Sequence, residues 1–361
     1  MKKLKIGITH GDINGVGYEL ILKTFQMEEM ATLCTPIIYG SPKIATYHRK
    51  AINSQTNFNV VESIDMVKEN TVNMVNCFGE EEQKIELGQA TENAGQAALT
   101  ALQIALQDLT EGKIDALVTA PLNNSTIRTE EGRSFSGHTT YIESFLGNDS
   151  KALKIFVSGN LRVALLTDNL PVSQIAENIS KEAIAEKLVA LHNTLKRDFF
   201  IDNPRIAVLS LNPHACGTEE EEIITPVIDE LFKRGVRCFG PYPADKLFGS
   251  EDYTHFDAIL AIYHDQGATA FSALAQGNGV NYTAGLPVIR TAPAIGTNYE
   301  AAGKDITDEQ AMRQAIYVAI DTARNRTRFD QERQNPLQKQ YFEKRDDSYK
   351  LKLDQTTDDE E

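Results

Sequence analysis

The sequence of this 361-residue chain predicts an α/β fold with parallel strands. Three observations point there. Short apolar runs of strand length recur along the chain, and one of them, Ala258 to Ile262, is apolar throughout, as expected of a strand buried on both faces. Stretches with helical spacing of apolar residues lie between the runs, and this alternation is the signature of the α/β class. Several runs end in polar or glycine-rich turns, where an open α/β sheet places its chemistry.

Composition bounds the function. Hydrophobic residues make up 41% and charged residues 24%, which describes an ordinary globular chain long enough for two domains or one large one. The net charge of −15 argues against a nucleic-acid partner but leaves room for a local basic pocket around a small anion. Cys34, Cys77, Cys216 and Cys238 show no CxxC spacing and read as reduced thiols, so a cytoplasmic location is expected. The N-terminal apolar stretch is too short for a signal peptide, and nothing approaches a membrane span. No internal repeat is present.

Taken in order, the first strand is Leu4 to Thr9. A turn with Gly11, Gly15 and Gly17 follows, then a helix from Tyr18 to Met27. A strand, a glycine turn and a helix can aim backbone N–H groups at an anion, although a tight turn without ligand fits equally. Glu86 to Glu111 is amphipathic and reads as a packing helix. The strand Ala116 to Thr119 runs into Ala120-Pro121-Leu122-Asn123-Asn124. Gly137-His138-Thr139 heads a helix and offers an imidazole, a hydroxyl and free backbone donors. The strand Arg162 to Thr167 precedes the turn Asp168 to Pro171, and a helix spans Ser180 to Phe199. The strand Arg205 to Leu211 ends at Asn212-Pro213-His214, and the run Ala258 to Ile262 ends at Tyr263-His264-Asp265-Gln266-Gly267. Two histidines at the ends of two strands suit a zinc- or cobalt-type ion. Glu219 to Glu222 reads as a solvated helix start. The stretch Ala261 to Thr297, with Asn281, Arg290 and Thr291 among glycines and prolines, reads as a loop presenting polar groups. Thr307 to Arg324 closes the fold, and the charged segment Asn325 to Glu361 ends in an acidic, disordered tail.

The motifs YHDQG (263–267) and GVNYTAGLPVIRT (279–291) resemble the 4-hydroxythreonine-4-phosphate dehydrogenase family of vitamin B6 synthesis. Gly11, Asp12, Gly15, Gly17 and Glu19 match its opening motif, Gly137-His138-Thr139 its GHT, and Gly240 to Asp245 its GPxPAD. The resemblance implies a two-domain fold similar to isocitrate and isopropylmalate dehydrogenases, with the active-site cleft between domains. Residues 1–128 plus 305–326 would form the first domain, 129–304 the second, and 327–361 a tail. It implies NAD-dependent, metal-assisted oxidation and decarboxylation of 4-phosphohydroxy-L-threonine by a homodimer with a shared active site. Asp245 and His264 would be catalytic. His138, Thr139, Ser272, Asn281 and Arg290 would bind the phosphorylated substrate, and Gly296 and Thr297 the cofactor NAD. Asn169, His214 and His264 would occupy the positions of a divalent metal (Zn, Mg, Mn or Co).

Four positions depart from the family pattern. Asn124 and Ser272 stand where lysines are usual, Asn169 where the third metal-binding histidine stands, and Ile295 where a histidine precedes Gly-Thr. These losses touch chemistry and spare packing. They fit retuned chemistry, a dehydrogenase for another phosphorylated hydroxy acid, or a member that binds without catalysing.

Overall fold

A computed structural model describes residues 3–79, 83–128, 135–147 and 151–334. The first half of the chain runs β1 (Lys5–Thr9), α1 (Gly17–Thr24), α2 (Glu29–Leu33), β2 (Thr35–Gly40), α3 (Pro42–Ala51), β3 (Asn59–Val61), β4 (Asn73–Asn76), α4 (Glu92–Thr110), β5 (Ala116–Thr119) and α5 (His138–Leu146). It continues with β6 (Leu153–Ser158), β7 (Leu161–Leu165), α6 (Lys181–Arg197), β8 (Ile206–Leu209), α7 (Thr225–Lys233), β9 (Cys238–Tyr242), α8 (Ala244–Gly249), β10 (Ala258–Ala261), α9 (His264–Ala275), β11 (Val280–Ala284), β12 (Arg290–Pro293) and α10 (Gln310–Arg333).

The described strands form one mixed twelve-stranded sheet in the order β3-β4-β2-β1-β5-β12-β11-β6-β7-β10-β8-β9. From β3 to β12 neighbours are parallel, and from β7 to β9 they are parallel again. The three ladders between, β12–β11, β11–β6 and β6–β7, are antiparallel. The sheet joins the two segments expected as domains, because β12 pairs with β5 at Arg290–Leu117. Strands β1, β5, β8 and β10 carry apolar runs buried almost throughout, as strands covered on both faces require.

Local signals set the element ends. The helix expected from Glu86 begins at Glu92, because Thr91 accepts a hydrogen bond from the Ala94 amide (3.2 Å) as its N-cap. The closing helix runs past Arg324 to Arg333, supported by the Arg328–Glu332 pair one turn apart (3.0 Å). Residues 335–361, which hold the acidic end, lie outside the described residues. Glu220 is buried rather than solvated, and its carboxylate accepts from the backbone and side chain of Asn212.

The largest correction concerns Ala261 to Thr297. It is not a loop: it supplies α9 and the two central strands β11 and β12. Its glycines and prolines sit at the junctions, and the β-branched and aromatic residues between them take up the sheet positions. Arg290 therefore belongs to the core of the sheet and is 4% exposed.

The turn after β1 is filled by the chain itself. The Asp12 amide donates to Pro121 O, Gly15 to Asp12 O and Val16 to Thr297 O. These three donors of the turn are spent on the fold. Beside it, His10 and His48 are fully buried and stack on either side of Tyr18, each with ring centroids 5.1 Å away. His48 Nε2 donates to Ile13 O at 2.8 Å.

Burial lowers both imidazoles to about 4. An unfolded histidine takes its proton near 6.5, so between these values the unfolded chain binds more protons than the native one. Stability should fall as pH drops from 6.5 toward 4, by about 1.4 kcal/mol per pH unit for each histidine. His48→Gln keeps a donor for Ile13 O and does not titrate. Urea unfolding between pH 4.5 and 6.5 should therefore show a shallower loss in the variant. An identical pH slope in both proteins would refute this origin.

Candidate active site

Strand register builds the site. Arg290 on β12 lies opposite Thr283 on β11, and Thr283 lies opposite Lys154 on β6. Opposed residues of an antiparallel ladder project to the same face, so Arg290, Thr283 and Lys154 form one row. At a strand spacing of about 4.8 Å, the two cations are anchored about 10 Å apart. The next row on this face is Ala292, Asn281 and Phe156. The first row and Asn281 line a cavity of about 380 Å³, walled also by the head of α5 and by the turn after β7.

Arg290 sits at one end. Its Nε and Nη2 donate to Thr119 Oγ1 (3.1 and 2.5 Å), and its Nη1 donates to Thr283 Oγ1 (3.2 Å). Its hydrogen-bond partners among the described residues are these hydroxyls, not a carboxylate. Burial pushes the guanidinium down to about 9, which leaves it a cation at neutral pH. His138, the first residue of α5, is held well below the usual imidazole range by burial and by the neighbouring Arg290 charge, so it is neutral. Asn281 Oδ1 is buried and has no hydrogen-bond partner among the described residues.

Lys154 sits at the other end, its Nζ 3.2 and 3.3 Å from the Asp168 carboxylate oxygens. On α6, Lys187 donates to Ala152 O (2.9 Å), and burial lowers its ammonium. Glu143 accepts from the Ala152 amide (2.5 Å). Three cations thus face two carboxylates, and one of those carboxylates is already paired. In a chain of net charge −15, this is a local surplus of positive charge around a half-open cavity. It suits a short, multiply charged anion.

Of the residues singled out in the sequence, His138, Thr139, Asn169, Asn281 and Arg290 line this cavity. Asn124 does too, at a position where the family pattern has lysine. His264 stands at its edge: Nδ1 bonds Asp265 Oδ1 (2.9 Å), and Nε2 faces Asp168 Oδ1 at 3.9 Å. Ser272 is exposed on α9, Asp245 is exposed on α8, and His214 is exposed in the turn after β8, where its φ is +65°. Gly296 and Thr297 lie beyond β12. None of these five is among the cavity's lining residues. Among the described residues, no group of three His, Cys, Asp or Glu side chains is close enough to hold a metal ion.

Lys154, Lys187 and Thr283 escape a reading of the sequence. Lys154 leaves a trace, because a lysine inside Leu153-Lys154-Ile155-Phe156-Val157 interrupts an apolar strand. Lys187 leaves none: on an amphipathic helix it looks like any solvent-facing lysine.

The Arg290 geometry makes a prediction. Removing a buried cation that has no counter-ion among the described residues strands no opposite charge there, so Arg290→Met should not lower the melting temperature. Inorganic phosphate should raise the melting temperature of the wild type and not that of the variant. The loss corresponds to roughly 1.5–3 kcal/mol of charge-assisted bonding, about one to two decades in affinity. Equal protection of both proteins by phosphate would count against Arg290 as an anion-binding group.

The described residues contain no helix long and apolar enough to cross a membrane. The family model described as pyridoxal phosphate biosynthetic protein PdxA matches residues 32–319. A 4-hydroxythreonine-4-phosphate dehydrogenase of Bacteroides thetaiotaomicron is 56% identical over 362 residues, 99% of each chain. A relative from Oceanobacillus iheyensis, whose name gives D-threonate 4-phosphate as substrate, is 34% identical over 89% of this chain and 98% of its own. A solved 4-hydroxythreonine-4-phosphate dehydrogenase from Burkholderia phymatum superposes with TM-score 0.72 at 31% identity, covering 89% of this chain and 99% of that one. One from Klebsiella pneumoniae superposes with TM-score 0.75 at 26% identity, covering 89% and 100%. With its family model matched over most of its length and a relative aligned end to end, this chain belongs to the PdxA family.

Proposed function

We propose that this chain is an NAD-dependent dehydrogenase that oxidises and decarboxylates 4-phosphohydroxy-L-threonine to 3-amino-2-oxopropyl phosphate. The carrying observation is the Arg290 guanidinium, buried at the cavity wall, which with neutral His138 and Asn281 Oδ1 lines the cavity; among the described residues Arg290 has no carboxylate partner and Asn281 Oδ1 no hydrogen-bond partner. A phosphate or carboxylate supplies the missing charge for Arg290. A substrate ammonium or hydroxyl supplies a donor for Asn281 Oδ1. A short substrate with an anion at one end then spans the row toward Lys154.

The oxidation breaks the carbinol C–H bond, and an oxidised nicotinamide, when bound, would supply the acceptor for its hydride. The hydroxyl proton is released to solvent, and a ketone forms. The C–C bond to the carboxylate then breaks, CO2 leaves, and the electron pair rests on the ketone oxygen as an enolate until a proton adds to carbon. Thr297 is the natural contact for the dinucleotide: its carbonyl accepts from the Val16 amide (3.1 Å), so the loop is anchored to the glycine turn. We expect a homodimer that shares the site.

The metal suggested by the family pattern is not matched by the donors on one chain. Of the two histidines in that pattern, only His264 stands beside the cavity; the carboxylate it faces, Asp168, is held by an ammonium. Asn169 offers only a neutral amide oxygen, a weak donor for zinc.

A second substrate, D-threonate 4-phosphate, is raised by the Oceanobacillus iheyensis relative. It differs in carrying a hydroxyl where hydroxythreonine phosphate carries an ammonium. The Glu143 carboxylate on the cavity wall favours the ammonium. Absorbance of NADH with each substrate, in NAD and in NADP, decides. The expected result is a kcat/KM at least about tenfold higher for the amino substrate, the equivalent of about 1.4 kcal/mol. Oxidation of neither substrate with either nucleotide would instead mark a member that binds without catalysing.

A further inference from the structure

We propose that Lys154 is the resident cation of the reaction centre: its ammonium supplies, at the reacting oxygen of the substrate, the positive charge that a divalent metal supplies in the family pattern. The inference rests on the dehydrogenase reading above. Its support is a juxtaposition. The Asn169 turn, where the family pattern has its third metal-binding histidine, carries Asp168, and the Asp168 carboxylate is taken by Lys154 at 3.2 Å. His264, a second position of that pattern, faces the same carboxylate at 3.9 Å. An ammonium therefore already holds the carboxylate beside Asn169 and His264, and a dication bound there would meet it. Like charge repels, and the repulsion is strong in a half-enclosed site. Lys154 and Asp168 belong to one chain, so the pair forms whether or not a partner subunit completes the site.

The ammonium is positioned from three sides. Strand β6 aims it through its register with Thr283. The Phe156 ring on the same face of β6 lies under it, 5.1 Å from centroid to Nζ. The same ring meets the His264 imidazole edge-on at 6.2 Å, which ties the lysine to the histidine. Lys154 keeps its protons throughout the reaction and acts by charge alone, on the alkoxide that develops as hydride leaves and on the enolate oxygen that develops as CO2 leaves. This also accounts for the missing lysines. Asn124 and Ser272 remove two cations from positions where the pattern has them, while Lys154 and Lys187 bring two to the cavity from β6 and α6.

Two measurements on the full-length protein test the proposal. The first is calorimetric titration of chelator-treated wild type with zinc, manganese and magnesium, read independently of turnover. No stoichiometric site is expected for any of the three. One tightly bound equivalent per chain would overturn the proposal, as would turnover lost on chelation and restored by metal. The second is steady-state kinetics of Lys154→Ala and Lys154→Arg, with thermal melting to show that both fold. Lys154→Ala should lower kcat by about 10²–10³, the loss typical of one oxyanion-stabilising donor, with KM changed far less. Added methylammonium should restore part of the Lys154→Ala rate, and Lys154→Arg should keep more activity than Lys154→Ala. A folded Lys154→Ala with wild-type kcat would overturn the proposal, and so would one that methylammonium does not rescue. If the wild type oxidises neither phosphorylated substrate, the dehydrogenase reading has failed. The proposal then falls with it, and the metal titration separately shows whether the cation assignment at this site was right.

Discussion

Everything at this site depends on the register of three antiparallel strands in the middle of the sheet. Arg290, Thr283 and Lys154 face the cavity together because β12, β11 and β6 are paired at those residues. A slip of one residue on β6 would turn Lys154 to the opposite face and bring Leu153 or Ile155 into the cavity. The register is held by burial, since Leu153, Ile155 and Val157 pack into the core on the other face. The same alternation that buries those side chains thus delivers the lysine.

The antiparallel zone is also where the sheet changes direction, between the parallel run through β1 and β5 and the parallel run through β7, β10 and β8. It is clamped from behind. Arg326 on α10 donates to both Asp198 carboxylate oxygens (2.7 and 3.0 Å), and Tyr282 of β11 donates to the same carboxylate (2.5 Å). The three are buried and mutually satisfied, so the ion pair is not left with an unpaired charge. Tyr282 and Thr283 are neighbours on one strand and point to opposite faces. One anchors β11 to the helices, and the other stands between the two cations.

Charge is arranged against the average. The chain is strongly acidic, yet its cavity gathers Arg290, Lys154 and Lys187 around neutral His138. The acidic exterior does not cancel this field, because exposed charges more than about a Debye length away are screened while a half-buried cluster is not. The inference about Lys154 extends this logic: a cation fixed covalently to a strand does not have to be captured from solution.

The sequence alone determined the α/β class, most strands and the start of α6 near Ser180, and it singled out His138, Asn281 and Arg290 as carriers of chemistry. It could do so because apolar runs, capping residues and local motifs are properties of neighbouring residues. It misread Ala261 to Thr297 as a loop, because glycines and prolines at strand junctions look the same as those inside a loop until the partners of the strands are known. Only the tertiary structure decided that Arg290 is buried and bonded among the described residues to hydroxyls, that Lys154 and Lys187 reach the same cavity, and that Asp168 is engaged by Lys154 beside His264. Those facts join residues 154, 168, 187, 264 and 290, which come from separate elements. No local pattern fixes the strand order that brings them together; the packing of the whole sheet does.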